Sequence, residues 1–252
     1  MDASLQRMLE TIDADKAKLD AMRPFSHRAL ASLHRRLRRE WWRPEAHGIE
    51  HGAGSFRETQ VVLDSMTMDG KALPQHCESM GRPDAMRFLD EIIATNEPLT
   101  AWQIRNIHNV VLKGRAGEEA CRYRHVNVAI AGARTTPPDF LDVPVELAAL
   151  VERHARGGIM HPLARAAELH TRFVKIHPFV DGNGRTGRLL LNVELMKSGY
   201  PPAVIRDEDR AGYCDSLDDA CVSDDYTGIV RLIAGSVQRS LNIYLDALKA
   251  CG

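Results

Sequence analysis

No uninterrupted apolar segment in these 252 residues is long enough to span a bilayer, which argues against a membrane-spanning helix in this stretch. The amino-terminal residues MDASLQRMLETIDADKAKLD lack a basic start followed by an apolar run, so they do not read as a secretory signal. The five cysteines, Cys77, Cys121, Cys214, Cys221 and Cys251, are odd in number and none lie two apart. Neither a disulfide framework nor a zinc ribbon is expected, and reduced thiols in a cytoplasmic protein are the default. A charge bias is missing as well: 33 Lys and Arg stand against 34 Asp and Glu, a net charge of -1. The molecule as a whole is therefore not expected to bind nucleic acid or a membrane surface electrostatically. Internal repeats, low-complexity tracts and long linkers are also absent, which leaves no obvious point at which to divide the chain.

What is present is material for one core, with 44% hydrophobic and 27% charged residues. Most segments carry helical spacing. Leu30, Leu33, Leu37 and Trp41 form one stripe, and residues 55–66 and 84–95 form others. Thr100 is placed to cap a helix running to Leu112, with Gln103 in the capping-box position. Helices are also expected over 146–154, 162–176, 185–198 and 227–248. One segment departs from this pattern. In Tyr123 to Ala133, YRHVNVAIAGA, Val126, Val128 and Ile130 alternate with Asn127 and Ala129, the period of a strand. Gly132 permits a turn, and Thr135 to Pro138 give a stiff extended exit. The expectation is an all-α bundle with one short β-hairpin, a single domain over 1–252.

The run His177-Pro178-Phe179-Val180-Asp181-Gly182-Asn183-Gly184-Arg185-Thr186-Gly187-Arg188 carries the chemistry. Gly182, Asn183 and Gly184 open a helix, where free amide groups and the helix dipole attract anions. The Asn183 side chain offers a further amide donor. Arg185 and Arg188, three apart on the first turn, share a face. Two guanidinium groups there suit a polyphosphate better than a single carboxylate. Asp181 is a candidate Mg²⁺ ligand, since Mg²⁺ takes one or two carboxylates together with phosphate oxygens and water. His177 titrates near neutrality and is a candidate general base. Taken singly, each feature is more often structural: a turn, a core histidine, a solvated arginine face. Their convergence within twelve residues favours phosphoryl or nucleotidyl transfer.

The run matches the Fic-family signature, His-x-Phe-x-Asp/Glu-Gly-Asn-Gly-Arg-x-x-Arg, at every defined position, and a looser resemblance extends from about residue 46 to about residue 200. The resemblance implies a helical catalytic core over 96–200, preceded by helices in 1–95 and followed by helices in 201–252. It implies a protein adenylyltransferase that uses ATP and Mg²⁺ to modify Ser, Thr or Tyr hydroxyls of a target protein. His177 would be the base, Phe179 would pack inward, and Asp181 would hold Mg²⁺. Gly182, Asn183 and Gly184 would form the anion hole, with Arg185 on the β-phosphate and Arg188 on the γ-phosphate. Residues Val126, Asn127, Val128, Ala129 and Ile130 would lie in a flap that adds the target backbone as a strand. Members of the family often dimerise, and no stretch here singles out an interface.

The resemblance also implies an internal brake. The stretch Ala46-His47-Gly48-Ile49-Glu50-His51-Gly52 corresponds to an inhibitory helix whose glutamate pairs with the last arginine, making Glu50 the candidate partner of Arg188. Ala46 and His51 depart from the family pattern, and Gly48 and Gly52 weaken a helix. Alternatives remain within the fold: AMP removal, or transfer of UMP, phosphocholine or phosphate. A non-catalytic nucleotide-binding regulator is a third class, against which the intact His177 stands. The basic run from His34 to Arg43 reads as the solvated face of an amphipathic helix, and Cys214 and Cys221 as core thiols.

Overall fold

The computed structural model describes residues 2–41, 67–68, 71–72, 84–95, 97–112, 121–158 and 160–249. Among these, the helices are α1 (Ala3–Asp20), α2 (His27–Trp41), α3 (Asp84–Thr95), α4 (Ala101–Val111), α5 (Val143–Arg156), α6 (Pro162–Ile176), α7 (Asn183–Lys197), α8 (Arg210–Ser223) and α9 (Thr227–Lys249). Two-residue strands Thr67–Met68 and Lys71–Ala72 pair antiparallel, with Thr67 opposite Ala72. No helix among the described residues is long and apolar enough to cross a membrane. The expected helix over 55–66 and the candidate brake segment 46–52 with Glu50 lie outside the described residues.

Helices α6 and α7 form the centre. Most side chains of α6 are buried, from Leu163 to Ile176. In α7, Leu189 through Leu195 are buried without interruption. A helix enclosed on all sides is a core helix. Helices α4 and α3 pack on α7, and α5 packs on α6. On the other side, α9 carries α1, α2 and α8. The run from His177 to Gly182 is the connection between the two central helices, so both of its ends are anchored in the core.

Local chemistry explains most boundaries. Thr100 and Gln103 form the expected capping box: Gln103 N–H donates to Thr100 Oγ1 at 3.1 Å, and Thr100 N–H to Gln103 Oε1 at 2.8 Å. Leu30, Leu33 and Leu37 are buried, as the stripe on α2 predicts. Helix α7 begins at Asn183, two residues before the expected start at Arg185. Helix α1 was not expected from the sequence, although Leu5, Leu9, Ile12 and Leu19 supply its buried face. Of the two cysteines expected in the core, Cys221 is buried and its thiol points at the Thr171 carbonyl, while Cys214 is exposed.

The segment Tyr123–Ala133 turns at Gly132, but no strand ladder forms there. The return arm contains Pro137 and Pro138, which have no N–H to donate. The Asn127 side chain meanwhile bridges to that arm, accepting from Phe140 N–H at 2.8 Å and donating to Asp139 at 2.8 Å. The two arms are therefore joined through a side chain where a hairpin would use backbone pairs.

Candidate active site

His177 ends α6 in the left-handed region, with φ 50°. Non-glycine residues adopt this conformation at a cost of about 1 kcal/mol or more. Its N–H still donates to Phe173 O at 3.1 Å, and its ring Nδ1 lies 3.2 Å from Val174 O. A carbonyl can only accept, so Nδ1 carries the proton and Nε2 keeps its lone pair. Burial holds the imidazole pKa below the usual 6.5; the Val174 carbonyl opposes this shift and the Arg124 charge adds to it. The ring is therefore a neutral base at neutral pH, with its basic nitrogen directed away from the helix end.

The loop after His177 is closed by Asn183. Its Oδ1 accepts from Phe179 N–H at 3.0 Å, and its Nδ2 donates to Phe179 O at 2.8 Å. This corrects the expectation of an Asn183 side-chain donor for a ligand: the buried amide bridges the loop, and what Asn183 offers an anion is its backbone N–H. Phe179 is fully buried, as expected, against Phe173 and Tyr123.

Gly182, with φ 79°, is the residue before α7. Thr186 N–H donates to Gly182 O at 2.9 Å as the first helical bond. The N–H groups of Asn183, Gly184 and Arg185 precede it and have no partner within the helix. The carboxylate of Asp181 accepts from Gly182 N–H at 2.6 Å and from Arg185 Nη2 at 3.2 Å. An anionic group thus already uses two donors at this helix start. Arg188 is exposed on the same face, with a guanidinium nitrogen 3.6 Å from where a side chain on Gly184 would begin. Asp181, Gly184, Arg185 and Arg188 therefore gather at one helix start, and His177 ends the helix before it.

Two residues that the sequence did not single out hold this loop. The His108 ring stacks on Phe179 with centroids 3.6 Å apart and planes within 1°, and its Nε2 lies 3.0 Å from Asp181 O. Since the carbonyl only accepts, Nε2–H donates. Arg124, 2% exposed, donates to His177 O at 2.9 Å, Val126 O at 3.1 Å and Pro138 O at 2.5 Å. Its backbone N–H donates to Pro178 O at 2.9 Å. It thereby joins the catalytic loop to the segment expected to be the flap. The far end of that segment is tied to α8, where Asp218 accepts from Arg134 N–H at 2.9 Å and Thr135 N–H at 3.0 Å. Between these anchors Val126, Asn127 and Ala129 are exposed, and Val128 and Ile130 are half-buried.

A cavity of about 540 Å³ lies elsewhere, between α5 and α6. Two of its cations, Arg153 and Arg172, are already paired with Glu168, at 2.6 and 2.8 Å. Chemistry rather than volume therefore places the site at the motif.

Comparison with known proteins agrees with that placement. Residues 98–195 match the sequence pattern of the Fic/DOC family. A solved structure of Fic-1 from C. elegans carrying a Glu-to-Gly substitution is 30% identical, with a TM-score of 0.67, covering 96% of this chain and 72% of that one. The chain belongs to the Fic/DOC family. The protein adenylyltransferase Fic of Drosophila ananassae is 33% identical over 96% of this chain and 48% of its own length. The chain thus spans about half the length of the curated relatives it matches. A Fic domain containing signaling protein from Bacteroides thetaiotaomicron shares the fold, at a TM-score of 0.69 and 21% identity, covering 96% of this chain and 98% of that one.

Histidines under this Fic site make its stability depend on pH. Burial lowers the pKa of both His108 and His170 to about 4, against an ordinary value of 6.5. Between 6.5 and about 4 the unfolded chain binds protons at these rings that the folded chain does not. Stability is therefore complete above pH 6.5 and falls as pH drops through that window. At pH 5 the loss is about 2 kcal/mol for each ring. Urea denaturation at pH 7 and pH 5 measures it, and His108→Phe should remove one share of the difference.

Proposed function

We propose that this protein is an adenylyltransferase that transfers AMP from ATP to a Ser, Thr or Tyr hydroxyl of a target protein. The observation that carries this reading is the unprotonated Nε2 of His177, set beside a helix start that bears Arg185 and Arg188. A pure nucleotide binder needs the second feature and not the first.

His177 Nε2 takes the proton of the incoming hydroxyl. The oxygen attacks the α-phosphorus, the bond from phosphorus to the bridging oxygen of the β-phosphate breaks, and pyrophosphate leaves. The amides at the start of α7 hold the α- and β-phosphate oxygens. Arg185 contacts the β-phosphate and Arg188 the γ-phosphate. Asp181 would hold Mg²⁺, which neutralises charge on the bridging phosphates. The donor set fits: Asp181 is an exposed carboxylate at the cradle, paired with Arg185. Phosphates and water complete such a Mg²⁺ shell. The open edge between Arg124 and Arg134 suits a target strand added by backbone hydrogen bonds. Recognition of that kind reads little side-chain sequence, so many hydroxyl-bearing segments would fit.

Intact-mass spectrometry after incubation with ATP and Mg²⁺ tests the proposal. A mass gain equal to AMP on the chain or on an added protein supports it. A gain equal to phosphate, or nucleotide binding with no gain even in Glu50→Gly, overturns it.

A further inference from the structure

One buried cation stands between the candidate base and the segment expected to carry the target. Arg124 is 2% exposed, and each nitrogen of its guanidinium reaches a different stretch of chain. Nε donates to His177 O at 2.9 Å, Nη1 to Val126 O at 3.1 Å and Nη2 to Pro138 O at 2.5 Å. These carbonyls belong to the catalytic loop, to the start of the exposed edge and to the return arm. The backbone N–H of Arg124 adds a bond to Pro178 O at 2.9 Å. His177 and Pro178 are thus gripped by both the side chain and the main chain of one residue.

A plain tether would not need this. The far end of the same segment is held by a surface pair, with the Arg134 side chain 62% exposed and bonded to Asp218. At the near end a full charge is withdrawn from water and meets neutral oxygens, which costs stability unless its donors are well satisfied. What the guanidinium supplies is rigidity, because its donors lie in one plane at fixed angles. His177 has a particular need of it. Its backbone sits at φ 50°, and its carbonyl is one of the three that Arg124 holds. Proton transfer from an acceptor hydroxyl requires the base within about 3 Å. A misplacement of about 1 Å can cost about a hundredfold in rate.

We infer that Arg124 is a positioning residue that fixes His177 and the edge from Val126 to Ala129 in one frame, so that a hydroxyl carried on that edge meets His177 Nε2. The inference rests on the reading of His177 as the base for AMP transfer. These bonds of Arg124 run to residues that precede α7, so nucleotide affinity should not depend on them.

The test uses the whole chain in the Glu50→Gly background. Calorimetric titration with the α,β-methylene analogue of ATP, blocked at the bond that breaks, gives affinity and counts competent sites. Self-modification with labelled ATP and Mg²⁺ is then expressed per competent site, which divides out any loss of folded protein. Arg124→Lys keeps the charge but replaces a fork of three nitrogens with one. Its per-site rate should fall about ten- to a hundredfold, while nucleotide affinity changes less than about twofold. His177→Asn supplies the second arm. Adding Arg124→Lys to it should cost less than about threefold further, because a residue that acts through the base then has nothing left to position. If the parent transfers no AMP, or His177→Asn transfers as fast as the parent, the reading of the site fails and takes this proposal with it. If that reading holds and Arg124→Lys matches the parent per site within about twofold, the positioning role alone is overturned. Losses that multiply in the double variant, or a matching loss of nucleotide affinity, overturn it too. Should Arg124→Lys leave too few competent sites to assay, Arg124→Gln, whose amide can still donate to a carbonyl, is judged by the same criteria.

Discussion

Replacing His177 with alanine should cut the rate of AMP transfer by about a hundred- to ten-thousandfold, the range that a positioned general base contributes. ATP binding should stay close to that of the wild type. The reason is that the two functions are carried by different atoms. In the proposed reaction the phosphate donors are backbone amides and guanidinium groups of α7. The His177 ring instead donates from Nδ1 to Val174 O. The carbonyl that anchors Arg124 is a backbone group and survives the substitution. Alanine at φ 50° is strained, so His177→Asn, a residue more tolerant of the left-handed region, is the control for folding. The pH profile gives a second measurement. Since burial lowers the pKa of this ring, the wild-type rate should hold as pH falls past 6.5 and drop only below it. Transfer surviving in both variants would show that some other group takes the proton.

The motif was legible because its chemistry is local. Helix start, paired arginines, carboxylate and histidine fall within twelve residues, and spacing alone places Arg185 and Arg188 on one face. The residues that hold the motif in shape were not legible. His108 is 73 positions from the carbonyl it binds, and Arg124 is 53 from His177. Nothing in the periodicity of α4 separates a histidine that stacks on a catalytic loop from an ordinary buried one. Asn183 failed for a subtler reason. An amide at a helix start can serve a ligand or bridge back to the preceding turn, and only the path of the loop decides. The alternation from Val126 to Ile130 suggested a hairpin strand, but no ladder forms there. It could not report that Asn127 would take over the bonding to the return arm. Helix α1 had a readable stripe in Leu5, Leu9 and Ile12, but few further cues marked its ends.

Replacing Glu50 with glycine should raise self-modification by on the order of ten- to a hundredfold, as expected for a coupling of a few kcal/mol between two sites. Glu50 lies outside the described residues, so the expectation rests on the resemblance of residues 46–52 to the family's inhibitory segment and on the disposition of Arg188. That arginine is exposed and has a guanidinium nitrogen close to Gly184 at the start of α7. A carboxylate brought to its outer face forms a charge-assisted pair and occupies the donors that the γ-phosphate requires. The nucleotide would still bind through its other phosphates, but with its α-phosphorus out of line for attack. Derepression should therefore appear in the rate with labelled ATP. Glu50→Gln should release the brake as well, because it removes the charge while keeping the shape. Combining Glu50→Gly with Arg188→Ala should cancel the gain, since phosphate and glutamate compete for the same guanidinium. Equal labelling of wild type and Glu50→Gly, with the wild type already active, would remove Glu50 from the regulation of this enzyme.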